Sequence, residues 1–545
     1  MKNRDLFKTS SIMAIGTVIS RVAGFIRGVM TVAVLGTALL ADSFNVANTM
    51  PNIIYNLMVG GALTAIFVPQ LVRSTKDEDG GVDFASRLVT TISLILGALT
   101  LIGIIFAPTL VRIYAPEFSS HGFEHEHALT IAFMRYCLPQ IFFLGLFTML
   151  GQVANSRGSF APMMWAPIAN NIVGIVLLAY FLILVPKFTT ATITPTQTAI
   201  LGWGTTFGVV VQALLIFPAV RRTGFHLKIR FGLKGLGKSF SLAGWTLVYV
   251  LISQLGYLVT VSVATSAAVR SAQHGITTGV GITPFQNAYY VMMLPYSIVT
   301  ISIITALLPH ISDLAIRKDH IGVRGELIRA IRLTGVITIP AGMAFFLLGP
   351  LMTRIIFVGI SPEDGRYIGY VLSALGIGLV TFSINLILLR GFNAFEDTRT
   401  QIPSIIVINI ISVGLSYIFL LTLNPKWVTV GLGAAFSISY IAGLPFTLWL
   451  LKRHTGLIGL SEFITQHLKL IFASFSALFP LFLISHFWHG INQNSPLSLQ
   501  ALELLLLIVL GATGYFFIAK QMHVDEIKVI MEYLPRLSGL KRDKS

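Results

Sequence analysis

Charge is what this sequence has little of. Only 11% of its 545 residues are Asp, Glu, Lys or Arg, less than half the roughly 25% usual in soluble domains. That deficit excludes a water-exposed globular surface and, with 54% hydrophobic residues, marks a chain that lives mostly in lipid. Acidic groups are the scarcer sign, 22 Asp and Glu against 38 Lys and Arg. Cysteine is nearly absent too: the single Cys137 can form no intrachain disulfide, and cysteine usage is therefore silent on compartment. No Walker loop, H-E-x-x-H helix or G-x-S-x-G elbow occurs, so the commonest phosphate, zinc and serine chemistries have no motif here. The first apolar run is too long for a signal-peptide core, is broken by arginine and lacks an A-x-A-like end. It reads as a spanning helix that stays.

What the chain does have is apolar runs. Fourteen segments of about 20 residues or more cover 9–35, 42–72, 86–110, 129–154, 160–185, 199–219, 240–268, 284–311, 328–356, 367–389, 401–422, 428–451, 468–487 and 499–519, each enough to cross ~30 Å of hydrocarbon. The fold class is therefore an all-α polytopic membrane protein. With the N-terminus inside, and cations near span ends counted with the loop they adjoin, the inner side holds 29 Lys and Arg and the outer side six, three more lying within spans. The positive-inside rule then places both termini in the cytoplasm. The net charge of +16 needs no nucleic-acid partner. Basic loops such as "RRTGFHLKIRFGLKGLGK" face anionic membrane lipids, with about 1 kcal/mol available per cation near that surface.

A duplication is visible within these spans. "VISRVAGF" (18–25) is echoed by "LISQLGYL" (251–258), "NTMPNII" (48–54) by "MMLPYSI" (292–298), and "ANSRGSFAP" by "NAFEDTRTQIP". Span two later exits through "AIFVPQL" and span eight through "ALLPHIS". Six spans separate the copies, so both have the same orientation, as in transporters built from two parallel lobes. The expected organisation is an N-terminal six-helix lobe (1–222), a C-terminal six-helix lobe (223–455), an added hairpin (456–521) and an amphipathic, basic tail (522–545) on the inner surface.

Two arginines stand near the middle of span one, in "SRVAGFIRG" (20–28). A guanidinium at bilayer depth costs about 2.5–3.5 kcal/mol or more. Gly16, Ser20, Gly24 and Gly28 form a small-residue stripe at four-residue spacing, which lets another helix approach closely. At about 100° per residue, Arg21 and Arg27 lie roughly 60° to either side of Gly24 and about 9 Å apart along the axis. Both are therefore expected on the protein-facing half. Snorkelling does not reach from Arg21, about 18 Å from its nearer end. Only Asp42 and Glu503 among the acidic residues touch a span, both at outer ends, so no buried carboxylate neutralises the pair. An anionic ligand or a water-filled cavity remains. A diphosphate suits two guanidiniums, whose planar forks match phosphate oxygens.

The same lack of carboxylates argues against a membrane enzyme of polyprenyl-phosphate metabolism, which would want magnesium-binding or acid/base pairs. It also argues against a proton antiporter's acidic relay. No cofactor is implied, and coupling to the membrane potential or to a monovalent ion stays open. The outer loop "HGFEHEH" (121–127) has metal-ligating residue types, though a solvated polar loop is the plainer reading.

"SRVAGFIRG", "LADSFNVANTMPNIIYNLMVGGALTAIFVPQL" and "PYSIVTISIITALLPHIS" resemble the MurJ (MviN) family of bacterial lipid II flippases, in the multidrug/oligosaccharidyl-lipid/polysaccharide exporter superfamily. The resemblance runs over about residues 9–450. It implies a flippase of the cytoplasmic (inner) membrane for the lipid-linked peptidoglycan precursor, an undecaprenyl-diphosphate lipid, with alternating access through a cationic central cavity. It also implies a place in peptidoglycan and cell-wall biogenesis, with the cell-wall synthesis machinery as partner. By resemblance Arg21 and Arg27 are cavity arginines, and Asp42 is an acidic gating residue. Where many members carry an arginine pair after the span-two proline, this chain has Tyr55 and Asn56. Where they carry Asp-Arg before the span-eight proline, it has Tyr289 and Tyr290. Tyr55, Asn56, Tyr290 and Gln254 remain candidate substrate-binding residues, since they can hydrogen-bond phosphate or sugar. Either the diphosphate leans more on span one, or the substrate is another polyprenyl-linked glycan or amphiphile. Pro51, with Gly60 and Gly61 beyond it, and Pro295 are the candidate hinges, because each proline removes a helical hydrogen bond.

Overall fold

The computed structural model describes residues 3–56, 70–232, 240–456, 460–487 and 495–527. Among these every regular element is helical. Thirteen helical segments are long and apolar enough to cross a membrane, one for each expected span except 42–72. The first half of that span is helical; from residue 57 it lies outside the described residues, and so do Gly60 and Gly61. Large apolar side chains stand on the outside, Ile183 at 78% and Ile105 at 69% exposure, an arrangement suited to lipid rather than water. The protein is a multi-pass membrane protein.

The chain divides into two compact units, 1–283 and 284–545. The first contains α1 (Asn3–Leu35), α2 (Leu39–Tyr55), α3 (Val82–Ile105), α4 (Ala107–Tyr114), α5 (Glu124–Cys137), α6 (Gln140–Ser156), α7 (Ala161–Leu184), α8 (Pro195–Arg222) and α9 (Phe240–Gln273). Helix α1 lies along α7, α7 along α8, α6 between α3 and α8, and α5 against α2 and α8. The fourth span, expected as one helix over 129–154, is broken at Leu138-Pro139 into α5 and α6. Pro139 lacks the N–H that would continue the ladder. Thr194 caps α8 by accepting from the Gln197 N–H, and the Gln197 side chain answers to the Thr194 N–H, a capping box. Helix α9, the seventh span, packs against α2 and α4.

Helix α10 (Ile282–Pro295) leads from the first unit into the second. There a π turn, Tyr296–Thr300, is followed by α11 (Ile301–Ile316), α12 (His320–Ile356), α13 (Pro362–Ala394), α14 (Ile402–Thr422), α15 (Pro425–Thr455), α16 (Leu460–Phe487) and α17 (Leu497–Gln521). Helices α12 and α13 meet backbone to backbone: a Cβ on Gly342 would lie 2.7 Å from the Gly376 carbonyl oxygen. Close approach through small residues replaces hydrophobic exclusion as the packing device in lipid. The hairpin α16–α17 is fastened to α12. The Tyr515 hydroxyl donates to the Val336 carbonyl at 2.7 Å, and Glu526, beyond the end of α17, pairs with Arg332 at 2.6 Å.

Candidate substrate-binding site

The small-residue stripe of α1 faces α7. A Cβ on Gly16 would strike the Trp165 ring at 2.8 Å, and one on Gly24 would touch the Asn171 amide at 3.5 Å. The Asn171 side chain donates to the Ser20 carbonyl at 2.9 Å, so an α7 amide grips the backbone of α1. Three residues further along, Arg27 lies against the same helix. Its Nη1 donates to Asn170 Oδ1 at 3.0 Å, and its stem passes Gly174, where a Cβ would come within 2.6 Å of Nε. Asn170 Nδ2 donates in turn to Gln212 Oε1 on α8 at 3.1 Å. Gln212 is buried at 5% exposure, Asn170 and Arg27 are half-buried, and Arg21 is exposed.

The two arginines therefore differ in setting, where the sequence placed both on the covered half. Helix α1 is covered chiefly by α7, so only the arginine on that side of the stripe is engaged. The other candidate residues lie on several helices. Tyr55 shares a 2.5 Å hydrogen bond with Thr148 of α6, while Asn56 beside it is exposed. Gln254 is half-buried on α9. In the second unit, Tyr290 is 50% exposed and accepts from Gln286 Nε2 at 3.1 Å. Tyr289 packs edge-on against Phe436, their ring centres 5.8 Å apart.

Asp42 is fully buried at the start of α2, with 0% exposure. Its Oδ1 accepts from the Thr283 N–H at 2.8 Å and the Thr283 hydroxyl at 2.6 Å, and its Oδ2 from the Ile282 N–H at 3.3 Å. These are the first N–H groups of α10, the end of a helix that favours negative charge. Gly281, at φ +145°, makes the approach possible: a Cβ there would lie 1.7 Å from Asp42 Oδ2. Pro51 is buried inside α2. Pro295 closes α10 directly before the π turn, an irregularity often found at functional sites.

The family described as "Lipid II flippase MurJ" matches residues 31–499. The chain belongs to the MurJ family. It is 26% identical over 531 residues to the probable lipid II flippase MurJ of Rhizobium meliloti, covering 94% of each chain. To the lipid II flippase MurJ of Burkholderia cenocepacia it is 25% identical over 437 residues, covering 79% of this chain and 81% of that one. Among solved structures, a lipid II flippase MurJ in an inward closed conformation superposes with a TM-score of 0.73 at 21% identity, over 94% of this chain and 99% of its own. A multidrug resistance MATE family transporter of the MOP superfamily, inward-facing, gives 0.62 at 17% identity, over 80% and 95%. These likenesses show the fold. MurJ membership makes the protein a transporter and not an enzyme.

Around these residues of the MurJ chain, sequence reasoning missed Asn170, Asn171, Gln212 and Thr283. Asn170-Asn171 is a polar pair within an apolar span and Gly279-x-Gly281 a flexible approach to Thr283; both signals are visible, but neither names a partner. In the 121–127 segment, His125 Nε2 donates to the Thr190 carbonyl at 2.7 Å and His127 Nδ1 bonds Ser119 at 3.0 Å. Among the described residues no three His, Cys, Asp or Glu side chains gather as a metal site.

Proposed function

We propose that this protein translocates lipid II, the undecaprenyl-diphosphate precursor of peptidoglycan, from the inner to the outer leaflet of the bacterial cytoplasmic membrane by alternating access. Membership of the MurJ family carries this reading, and the span-one arginines supply its chemistry. Arg27 offers a guanidinium that lies on α7 beside the Asn170 amide, a group whose planar fork suits phosphate oxygens. Arg21, exposed six residues earlier, is the second cation. Tyr55, Asn56, Gln254 and Tyr290 serve the phosphate or sugar through neutral hydrogen bonds. Asp42 on the first turn of α10 is the gate, and Pro51 and the Pro295 π turn are the hinges. The two six-helix lobes with an added hairpin are the moving and anchoring parts, both termini are cytoplasmic, the membrane potential or a monovalent ion drives the cycle, and the cell-wall synthesis machinery takes up the product.

Depleting the protein and measuring lipid II in each leaflet tests the activity. Accumulation on the inner leaflet is the expected result, and an unchanged distribution would sink it. Orientation has its own assay. The native Cys137 is buried, so a cysteine replacing His121 is expected to react with an impermeant thiol reagent in intact cells and one replacing Arg317 is not. The reverse pattern overturns the assignment of sides.

A further inference from the structure

We infer that Asn52 is a substrate-contacting residue: with Asn56, one turn further on, it forms a neutral amide track that hydrogen-bonds the uncharged hydroxyl and amide groups of the headgroup beyond the diphosphate. The inference rests on the lipid II reading proposed above. It adds to that reading a residue and the part of the substrate that residue reads.

Asparagine recurs along α2 at 45, 48, 52 and 56, spacings of three, four and four. At about 100° per residue these four fall within an arc of about 80°. They form one polar stripe on a helix whose opposite side, Val46, Ala47, Met50 and Ile53, is buried. The stripe is not used evenly. Asn45 Nδ2 donates to the Thr283 hydroxyl at 2.8 Å, and Asn48 Oδ1 accepts from Gln140 Nε2 at 3.3 Å, so the first two amides tie α2 to its neighbours. Both are half-buried, whereas Asn52 and Asn56 are exposed. Asn52 gives one N–H to the backbone carbonyl of Asn48 at 3.3 Å, within its own helix. Its second N–H and its oxygen, with two lone pairs, remain for a ligand.

Asn52 lies ten residues beyond Asp42, about 15 Å along the helix axis, in a span that crosses ~30 Å of hydrocarbon. An amide turned to lipid at that depth loses its water without gaining a partner. That cost confines polar side chains in spans to the protein interior or to water-filled cavities on a substrate pathway. Because Asn52 is exposed, the cavity is the setting that remains. Its chemistry selects the ligand: an amide both donates and accepts, as a sugar hydroxyl or a peptide group does. Neutral bonds are also weaker than charge-assisted ones. Equivalent groups one turn apart therefore hold a headgroup without trapping it, as a pathway requires when its ligand must leave as readily as it enters. A stripe that served only to fasten α2 would engage Asn52 and Asn56 with neighbouring helices, as it engages Asn45 and Asn48.

The experiment measures binding of lipid II, and of undecaprenyl diphosphate, which lacks the sugar and peptide, to the full-length protein in nanodiscs. Wild type is compared with Asn52→Leu, Asn52→Ala and Asn52→Gln, with thermal stability in parallel. Asn52→Leu is expected to unfold at the wild-type temperature, because the residue is exposed. It is expected to lose about fivefold to tenfold in affinity for lipid II, with undecaprenyl diphosphate unchanged. Asn52→Gln, which keeps the amide, is expected to recover most of that loss. A wild-type preference for lipid II in Asn52→Leu overturns the inference. Equal losses for both lipids also overturn it, because they place Asn52 at the diphosphate or in the packing. If Asn52→Leu does not fold, Asn52→Ala decides by the same criterion. Wild type that binds lipid II no more tightly than undecaprenol removes the lipid II reading and the inference with it, an outcome distinct from an unaffected variant of a protein that binds.

Discussion

Replacing Asp42 by asparagine tests the contact between α2 and the first turn of α10. The carboxylate takes two donors on Oδ1, from the Thr283 N–H and hydroxyl, and one on Oδ2, from the Ile282 N–H. Asparagine has one oxygen. Turned to Thr283, it leaves its NH2 group facing the Ile282 N–H, donor to donor. Hydrogen bonds to a charged group contribute about 1.5–3 kcal/mol each, and a negative charge at a helix N-terminus adds roughly 0.3–1 kcal/mol, more when partly buried. Losing the Ile282 bond and the charge on the other two comes to about 3 kcal/mol. At ~1.4 kcal/mol per tenfold, the contact should open on the order of 100-fold more often.

Hydrogen exchange of the 279–285 segment reads this directly, since the amides of Ile282 and Thr283 are themselves the donors. Asp42→Asn is expected to raise their exchange by about two orders of magnitude, with α12–α13 amides unchanged. Gly281→Ala attacks the same contact without touching the charge: its Cβ would lie 1.7 Å from Asp42 Oδ2, and the same segment should lose protection. Exchange within twofold of wild type in Asp42→Asn would refute the reasoning. So would an open segment in Asp42→Asn beside a protected one in Gly281→Ala, because the contact and not the charge alone is held responsible.

Two other outcomes follow from the structure. Pro51→Ala restores a backbone donor inside α2; it is expected to slow lipid II translocation and shift the balance of inward and outward states, and a variant unchanged in both would make Pro51 a static kink. At the α13–α14 turn, Asp397 is partly buried, which by itself raises its pKa. Bonds from the Thr400 hydroxyl and N–H and from His454 at 2.7 Å outweigh that and hold it below 3.8. A carboxyl depressed in the folded state adds stability above its ordinary pKa and loses it as pH falls through the lowered one. The advantage of wild type over Asp397→Asn in thermal unfolding should therefore be full at pH 6 and shrink as pH drops below 3.8; an advantage that does not change with pH would contradict it.

Spans were legible in the sequence because a bilayer demands a run of apolar residues, and a run is a local property. Among the described residues, thirteen of the fourteen meet a helix long and apolar enough to cross a membrane, and the remaining one is helical up to Tyr55. The break at Pro139 escaped because a proline within an apolar run can kink a helix or end it, and hydropathy does not distinguish the two. Arg21 and Arg27 declared themselves by their cost in lipid. Their difference did not, since it depends on which side of α1 a neighbour covers. Asn170 and Gln212 carry no charge, so they raise no alarm in a hydropathy reading. Their bonds to Arg27 and to each other span 143 and 42 residues, beyond any periodicity. Asp42 was legible as a residue with a task, but its partners lie 240 and 241 residues away.

The contrast between Asp42 and Asn170 shows how this chain distributes its few carboxylates. At Asp42 the neighbours are N–H and hydroxyl donors at a helix start, groups with partial positive charge only, so a full negative charge is the stronger acceptor and binds no mobile ligand away. At position 170 the neighbour is a full cation. A carboxylate there would form a charge-assisted ion pair, stronger than the bond the amide accepts. An amide accepts from the guanidinium more weakly. Asn171, one residue on, serves the backbone of α1 instead, so helix attachment and charge orientation are handled by adjacent amides. The chain thus places a carboxylate where its neighbours are backbone and hydroxyl donors, and an amide where the neighbour is a guanidinium.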